Sequence, residues 1–188
     1  MAAGKRAHSA GPVSATPMLV AVDDGYAAIK VYAPAGEDAR GRRREAIRTV
    51  LPTSVRAGLD RLTAIDGAGA GGFYETCGRR YTASDQVAAE QTRFEDFHLS
   101  DIARVAIHHG LHQSGLGGEE VELVCGLPVG DFFEVGAKNE ALIAAKKKHL
   151  LEPVEMVLGP SEGDRVGVVE AHVTAQAVAA WVDYVLDD

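Results

Sequence analysis

Only two cysteines, Cys77 and Cys125, occur among 188 residues. They are too few for a disulfide framework, so reduced thiols in a cytoplasmic protein are the simpler expectation. Positive charge is also short. Lys and Arg number 19 against 27 Asp and Glu, a formal net charge of −8. Tight non-specific nucleic-acid binding rests on cations neutralising phosphates, so no direct nucleic-acid contact is expected. No apolar run approaches the ~18 residues that a membrane helix needs. Met1 to Pro17 carries Lys5 and Arg6 with no apolar stretch behind them, so it does not read as a secretory signal. It is small, polar and broken by Pro12 and Pro17, and reads as a disordered lead-in, with Met18 an alternative start. No internal repeat is found.

What is present is ordinary globular composition, 46% hydrophobic and 24% charged. At about 150 residues per domain, one folded domain over 18–188 is the default. Met18 to Val22 is a short apolar run of the buried-strand kind, Asp23-Asp24-Gly25 a turn, and Tyr26 to Ala33 the returning strand of a hairpin. Glu45 to Leu51 reads as a third antiparallel strand, stopped by Pro52. From Thr53 to Phe97 the pattern weakens into an expected insertion with its own minor core. Within it Phe73 to Cys77 and Arg80 to Ala83 flank a turn at Gly78-Arg79.

After Leu99 helix and strand alternate. Ser100 suits an N-cap and Asp101 the first turn of a helix over 102–113, ended at Gly115. Val121 to Cys125 is a buried strand. Asp131 and Glu134 resemble a capping box for a helix running to about His149. Strands follow at Pro153 to Leu158 and Arg165 to Val169, on either side of a turn. Ala171, Ala175, Val178, Trp181, Val182 and Val185 then recur at helical spacing and imply a last helix. The sum is an α/β domain with a mixed sheet: three antiparallel strands, an insertion, then alternating helices and strands.

Ligands in open α/β sheets sit at the carboxyl ends of strands, so the turn after the first strand is the first candidate site. There Asp23-x-Gly25-x-x-x-x-Lys30 combines three useful features. Gly25 lets backbone amides approach a phosphate. Asp23 could hold Mg²⁺ through its waters. Lys30 offers a point charge to phosphate. The plainer reading is a common hairpin turn with a solvated lysine.

Three segments shift that balance. MLVAVDDGYAAIK, VAIHHGLHQSGL (Val105 to Leu116) and VELVCGLPVGDFF (Val121 to Phe133) resemble, in order and spacing, the StbA/ParM family of plasmid-segregation actins. Asn139 to Lys148, with its Lys cluster, is similar too. The resemblance implies the N-terminal domain of an actin-like ATPase of the ribonuclease-H-like group. It implies ATP and Mg²⁺ as cofactors, other copies of the chain in a filament, and a DNA-binding adaptor protein as partners. By family position Asp23 faces Mg²⁺ and the phosphates, Asp24, Gly25 and Tyr26 belong to the first phosphate loop, and Lys30 reaches a phosphate. A second phosphate loop and a second actin-like domain would complete the cleft, and without them ATP affinity is expected to be weak or undetectable. A non-enzymatic half-actin that binds filament ends or a partner half is the alternative.

Relatives carry a Glu or Gln near the start of the last helix that orients the attacking water. Glu170 is the expected catalytic residue, with His172 its rival and a helix N-terminal acid the plain reading. His108 and His112 stand four apart, as zinc ligands can, but lack the Glu of an HExxH motif and a third ligand. His109 falls on the apolar arc and should be a hydrogen-bonded core residue. Arg40 to Arg48 and Lys146 to Lys148 read as a solvated loop and a helix end. A DNA contact or a filament contact stands as the alternative. Cys77 and Cys125 read as core filler.

Overall fold

The computed structural model describes residues 16–37, 42–59, 71–85, 90, 92, 94–158 and 165–176. Most of the expected lead-in, part of the insertion and nearly all of the expected last helix lie outside the described residues.

The apolar run forms β1 (Met18–Asp24), which turns back as β2 (Ala28–Ala33) and continues to β3 (Ile47–Pro52). These three pair antiparallel, with Asp23 opposite Lys30 and Ala28 opposite Pro52. β7 (Glu120–Leu127) then lies parallel to β1, and β9 (Gly167–Ala175) parallel to β7. The order β9-β7-β1-β2-β3 makes the expected mixed sheet.

The insertion forms β4 (Val55–Ala57), β5 (Gly72–Thr76) and β6 (Arg79–Ala83). β5 and β6 join through Cys77 and Gly78, both at positive φ, the two-residue turn that suits the right-handed strand twist. β8 (Glu155–Leu158) joins them in a second sheet, ordered β8-β5-β6-β4. β8 and β9 therefore belong to different sheets. Among the described residues the insertion shares the main core: Val55, Tyr74, Tyr81 and Ala83 lie in one cluster with Val20, Ile29 and Leu123.

Helix α1 (Asp101–Gln113) explains why. It contacts strands of both sheets, and every residue from Ala103 to His112 is buried. The side chain of Ser100 accepts from Ala103 N (3.2 Å) at its start, and Gly115 (φ +76°) follows its end, as expected. Gly110 sits where α1 presses on β2. A Cβ there would stand 2.9 Å from Ile29 Cγ2 and 3.0 Å from Val31 Cγ2. Gly110→Val is expected to overpack this contact and to cost about 1–3 kcal/mol in a urea titration. An unchanged midpoint would show that the helix can back away freely.

The second helix starts later than expected. Asp131 lies in a single helical turn, Val129–Phe132, followed by a tiny hairpin of Phe133–Glu134 with Ala137–Lys138. Helix α2 (Glu140–Leu151) is capped instead by Asn139, whose side chain accepts from Leu142 N (3.1 Å). The strand before the expected last helix runs on further than expected. Residues expected at its beginning, Ala171 and Ala175, are in β9, and helical backbone begins at Gln176.

Candidate phosphate-binding bend

β1 alternates. Val20, Val22 and Asp24 point into the core, and Leu19, Ala21 and Asp23 point away from it. The two adjacent aspartates therefore have opposite fates. Asp23 is directly opposite Lys30 on β2, and Lys30 Nζ donates to Asp23 Oδ2 at 2.8 Å. Both side chains are open to solvent, 44% and 59% exposed. The Asp23 carboxylate raises the Lys30 ammonium pKa by accepting its hydrogen bond.

Asp24 was expected in the phosphate loop, but it is fully buried. Its carboxylate accepts from Lys146 Nζ (2.5 Å) and Cys125 Sγ (3.2 Å) and sits 3.2 Å from His98 Nδ1. Lys146 Nζ also donates to His98 O at 2.7 Å. Burial alone would raise the Asp24 pKa, but the His98 hydrogen bond and the Lys146 charge together hold it below its usual value. Lys146, expected at a solvated helix end, is fully buried too. Asp24 therefore fastens the end of β1 to α2 and to the Phe97–Leu99 turn, and its side chain has no free face to offer a ligand.

The bend itself, residues 25–27, is tied by its carbonyls. Thr53 Oγ1 donates to Gly25 O (2.8 Å), Thr53 N to Ala27 O (3.0 Å) and Thr92 Oγ1 to Tyr26 O (2.8 Å). A Cβ on Gly25 would come 2.9 Å from Ala28 O, so glycine is required there for lack of space. Tyr26 lays its ring against Phe97 and His98, at centroid distances of 5.1 and 5.4 Å.

Glu170 is placed elsewhere. It pairs with Glu122 on β7, which stands level with Leu19 on β1. That is four residues short of Asp23, about 13 Å along the strand at ~3.3 Å per residue. Its rival His172 pairs with Val124, one residue short of the level of Val22. Gln176 is the residue that reaches the bend, its Nε2 lying 3.5 Å from Asp23 Oδ1. Gly126 makes room for it, since a Cβ at 126 would overlap Gln176 Cγ. Gln176 escapes the sequence reading because the strand there is ended at Val169, whereas it runs to Ala175. A strand that continues through Ala175 puts the first helical residue at 176.

The histidines of α1 are buried. The Tyr74 hydroxyl is hydrogen-bonded to His109 Nδ1 (2.9 Å), which makes His109 the core residue expected. Cys125 is buried, as expected of core filler, whereas Cys77 is exposed. Among the described residues no helix is long and apolar enough to cross a membrane.

A mixed sheet of three antiparallel and two parallel strands, with an acid-and-glycine hairpin at the carboxyl end of β1, is the arrangement of an actin-like α/β domain. Solved structures agree on the fold. An archaeal actin homologue, Ta0583, superposes with a TM-score of 0.61 at 17% identity, over 90% of this chain and 48% of that one. The apo psk41 ParM protein gives 0.60 at 13% identity, over 90% and 52%. The actin-like protein Alp7A gives 0.54 at 15%, over 87% and 46%. This chain thus spans about half the length of these proteins. No curated protein matches its sequence. The family profile described as "Plasmid segregation protein ParM, N-terminal" matches residues 18–183, and the chain belongs to that family.

Proposed function

We propose that this chain forms the first wall of an ATP·Mg²⁺ cleft in a filament-forming actin-like ATPase that segregates plasmids. The observation that carries the reading is the Asp23–Lys30–Gln176 cluster around a glycine bend at the carboxyl end of β1. A trans peptide points its N–H opposite to its C=O. Tying Gly25 O and Tyr26 O to threonines therefore turns the amides of Tyr26 and Ala27 the other way, toward a phosphate. Lys30 supplies cationic charge beside them, and Asp23 an oxygen for a hydrated Mg²⁺. Gln176, rather than Glu170, takes the water-orienting role, because it alone of the two stands at the bend and at a helix start. A solved relative described as an AlfA filament bound to AMPPNP supports a nucleotide-bound polymer (TM-score 0.50, 12% identity, over 88% of this chain and 57% of that one).

A cleft needs two walls, so the isolated chain should bind labelled ATP with Mg²⁺ more weakly than micromolar, and Asp23→Ala should remove what binding there is. In the protein completed by a second domain, Gln176→Ala should slow hydrolysis roughly 100-fold while sparing nucleotide binding. Unchanged hydrolysis in that variant would return the role to another residue. The adaptor protein and the other copies in the filament complete the proposed partners. Pelleting with ATP, with and without the adaptor, tests them.

A further inference from the structure

Apart from the bend, the outer face of the main sheet gathers a second group. Glu122 on β7, and Glu170 and His172 on β9, place their donor atoms within 4.8 Å of one another. His172 Nε2 lies 2.6 Å from Glu122 Oε1 and 3.6 Å from Glu170 Oε1. We propose that these three side chains form a binding site for a divalent first-row transition ion of the Zn²⁺ type, which staples β9 to β7.

Two observations carry this beyond a surface ion pair. The first is the backbone. The register between β9 and β7 slips between Val168 and Glu170. Without that bulge Val169 would pair with Glu122, and the alternation would send Glu170 inward. The extra residue turns Glu170 and His172 out together and Ala171 into the core, where it is buried. Bulges re-aim side chains in this way and cost ladder hydrogen bonds. The second is charge. The bulge sets Glu122 and Glu170 directly opposite each other on neighbouring strands, a like-charge pairing that destabilises a sheet. One imidazole satisfies at most one carboxylate through Nε2–H, whereas a divalent ion neutralises both.

The donor set chooses the ion. One imidazole nitrogen with two carboxylates suits Zn²⁺ and its neighbours, while Mg²⁺ and Ca²⁺ prefer oxygen alone. Ligands at about 2.0–2.1 Å around a tetrahedral ion stand about 3.3 Å apart. The two measured separations, 2.6 and 3.6 Å, bracket that spacing. All three side chains are at least a third exposed and have room to adjust. A tetrahedral ion would take its fourth ligand from water. The site lies away from the bend and does not depend on nucleotide binding.

Titration of metal-free protein with ZnCl₂ in a calorimeter should show one ion bound per chain in the micromolar range, and a raised melting temperature with Zn²⁺ present. His172→Gln should weaken binding by more than the roughly 10–100-fold lost with an outer-shell partner, and should abolish the thermal shift. Glu170→Gln, at a 63% exposed side chain, gives the same test if the first variant fails to fold. Excess Mg²⁺ should not displace the Zn²⁺. Absence of saturable uptake, uptake unchanged in both variants, or full displacement by Mg²⁺ would each overturn the site.

Discussion

Lys146→Met is expected to destabilise the chain by about 3–5 kcal/mol, because it strips the partner from a fully buried carboxylate. Asp24 has nowhere to go. It is shut off from solvent, and the Lys146 ammonium at 2.5 Å is its closest contact. His98 and Cys125 remain beside it as hydrogen-bond partners. Asp24→Asn should cost a comparable amount for the converse reason, leaving Lys146 charged and unpaired. The double variant is the discriminating one. Asparagine beside methionine buries no net charge, so much of the loss should return, as when buried pairs are replaced together. A double-mutant cycle by urea denaturation reads this directly. A loss below about 1 kcal/mol for Lys146→Met would show that the ammonium contributes no more than an exposed ion pair. Additive single losses would show that the two groups do not interact. The pair also bears on the bend. Asp24 immediately precedes Gly25, so the ion pair fixes the chain from which the bend projects.

This buried pair was legible in the sequence, though not in its motifs. Val20, Val22 and Asp24 keep a period of two, which sends Asp24 inward and Asp23 outward. Ile143, Lys146 and Leu150 keep helical spacing on the buried face of α2. Reading DDG as one turn, and three lysines as one cluster, hid both patterns. The three antiparallel strands, the Ser100 cap and the hairpin of the insertion were readable because their signals are local, although its turn falls at Cys77-Gly78, one residue before the expected Gly78-Arg79. Three features were not. β8 joins the second sheet because of a partner roughly eighty residues away in the chain, which no local pattern encodes. The capping box at Asp131 lost to a second cap at Asn139, which propensity alone does not rank. At the end of the chain Ala171 and Ala175 fit a helical stripe, yet Glu170, His172 and Thr174 alternate with Ala171, Val173 and Ala175 at strand period. The bulge before them broke the alternation that would have revealed the strand, and turned the expected catalytic residue to the other face of the sheet.

Stability should fall steeply between pH 6.5 and 5. Three histidines are held neutral by the fold. Burial pushes His108 down to about 3, helped by the charges of His112, Arg104, Arg165 and His149. Burial pushes His109 down to about 4, with His112 adding to it and Asp85 opposing. His149 also falls to about 4, chiefly by burial and then by Arg104 and Lys146, against Asp101 and a hydrogen bond to the Ser100 backbone. Arg104 Nη1 lies 2.7 Å from His149 Nδ1, a nitrogen that must accept and so stays unprotonated. Each folded-state value lies below the unfolded value of 6.5, so the unfolded chain binds more protons in this window. The contribution is complete above about pH 6.5 and drains away as pH falls toward 4 and then 3. While the unfolded imidazole is protonated and the folded one is not, each buried histidine removes about 1.4 kcal/mol per pH unit. His108 and His109 together therefore approach roughly 3 kcal/mol per unit near pH 5, with half-buried His149 adding less. That is a large part of a typical 5–15 kcal/mol total. Ordinary carboxylates titrate below this window, and Asp24, with its lowered pKa, loses its contribution only at still lower pH. Urea midpoints measured from pH 8 to 5 should be flat above 7 and fall below 6.5. His108→Phe should flatten the slope by about one histidine's share. A profile level from pH 7 to 5 would mean that these imidazoles reach solvent in the folded chain and pick up their protons without unfolding it.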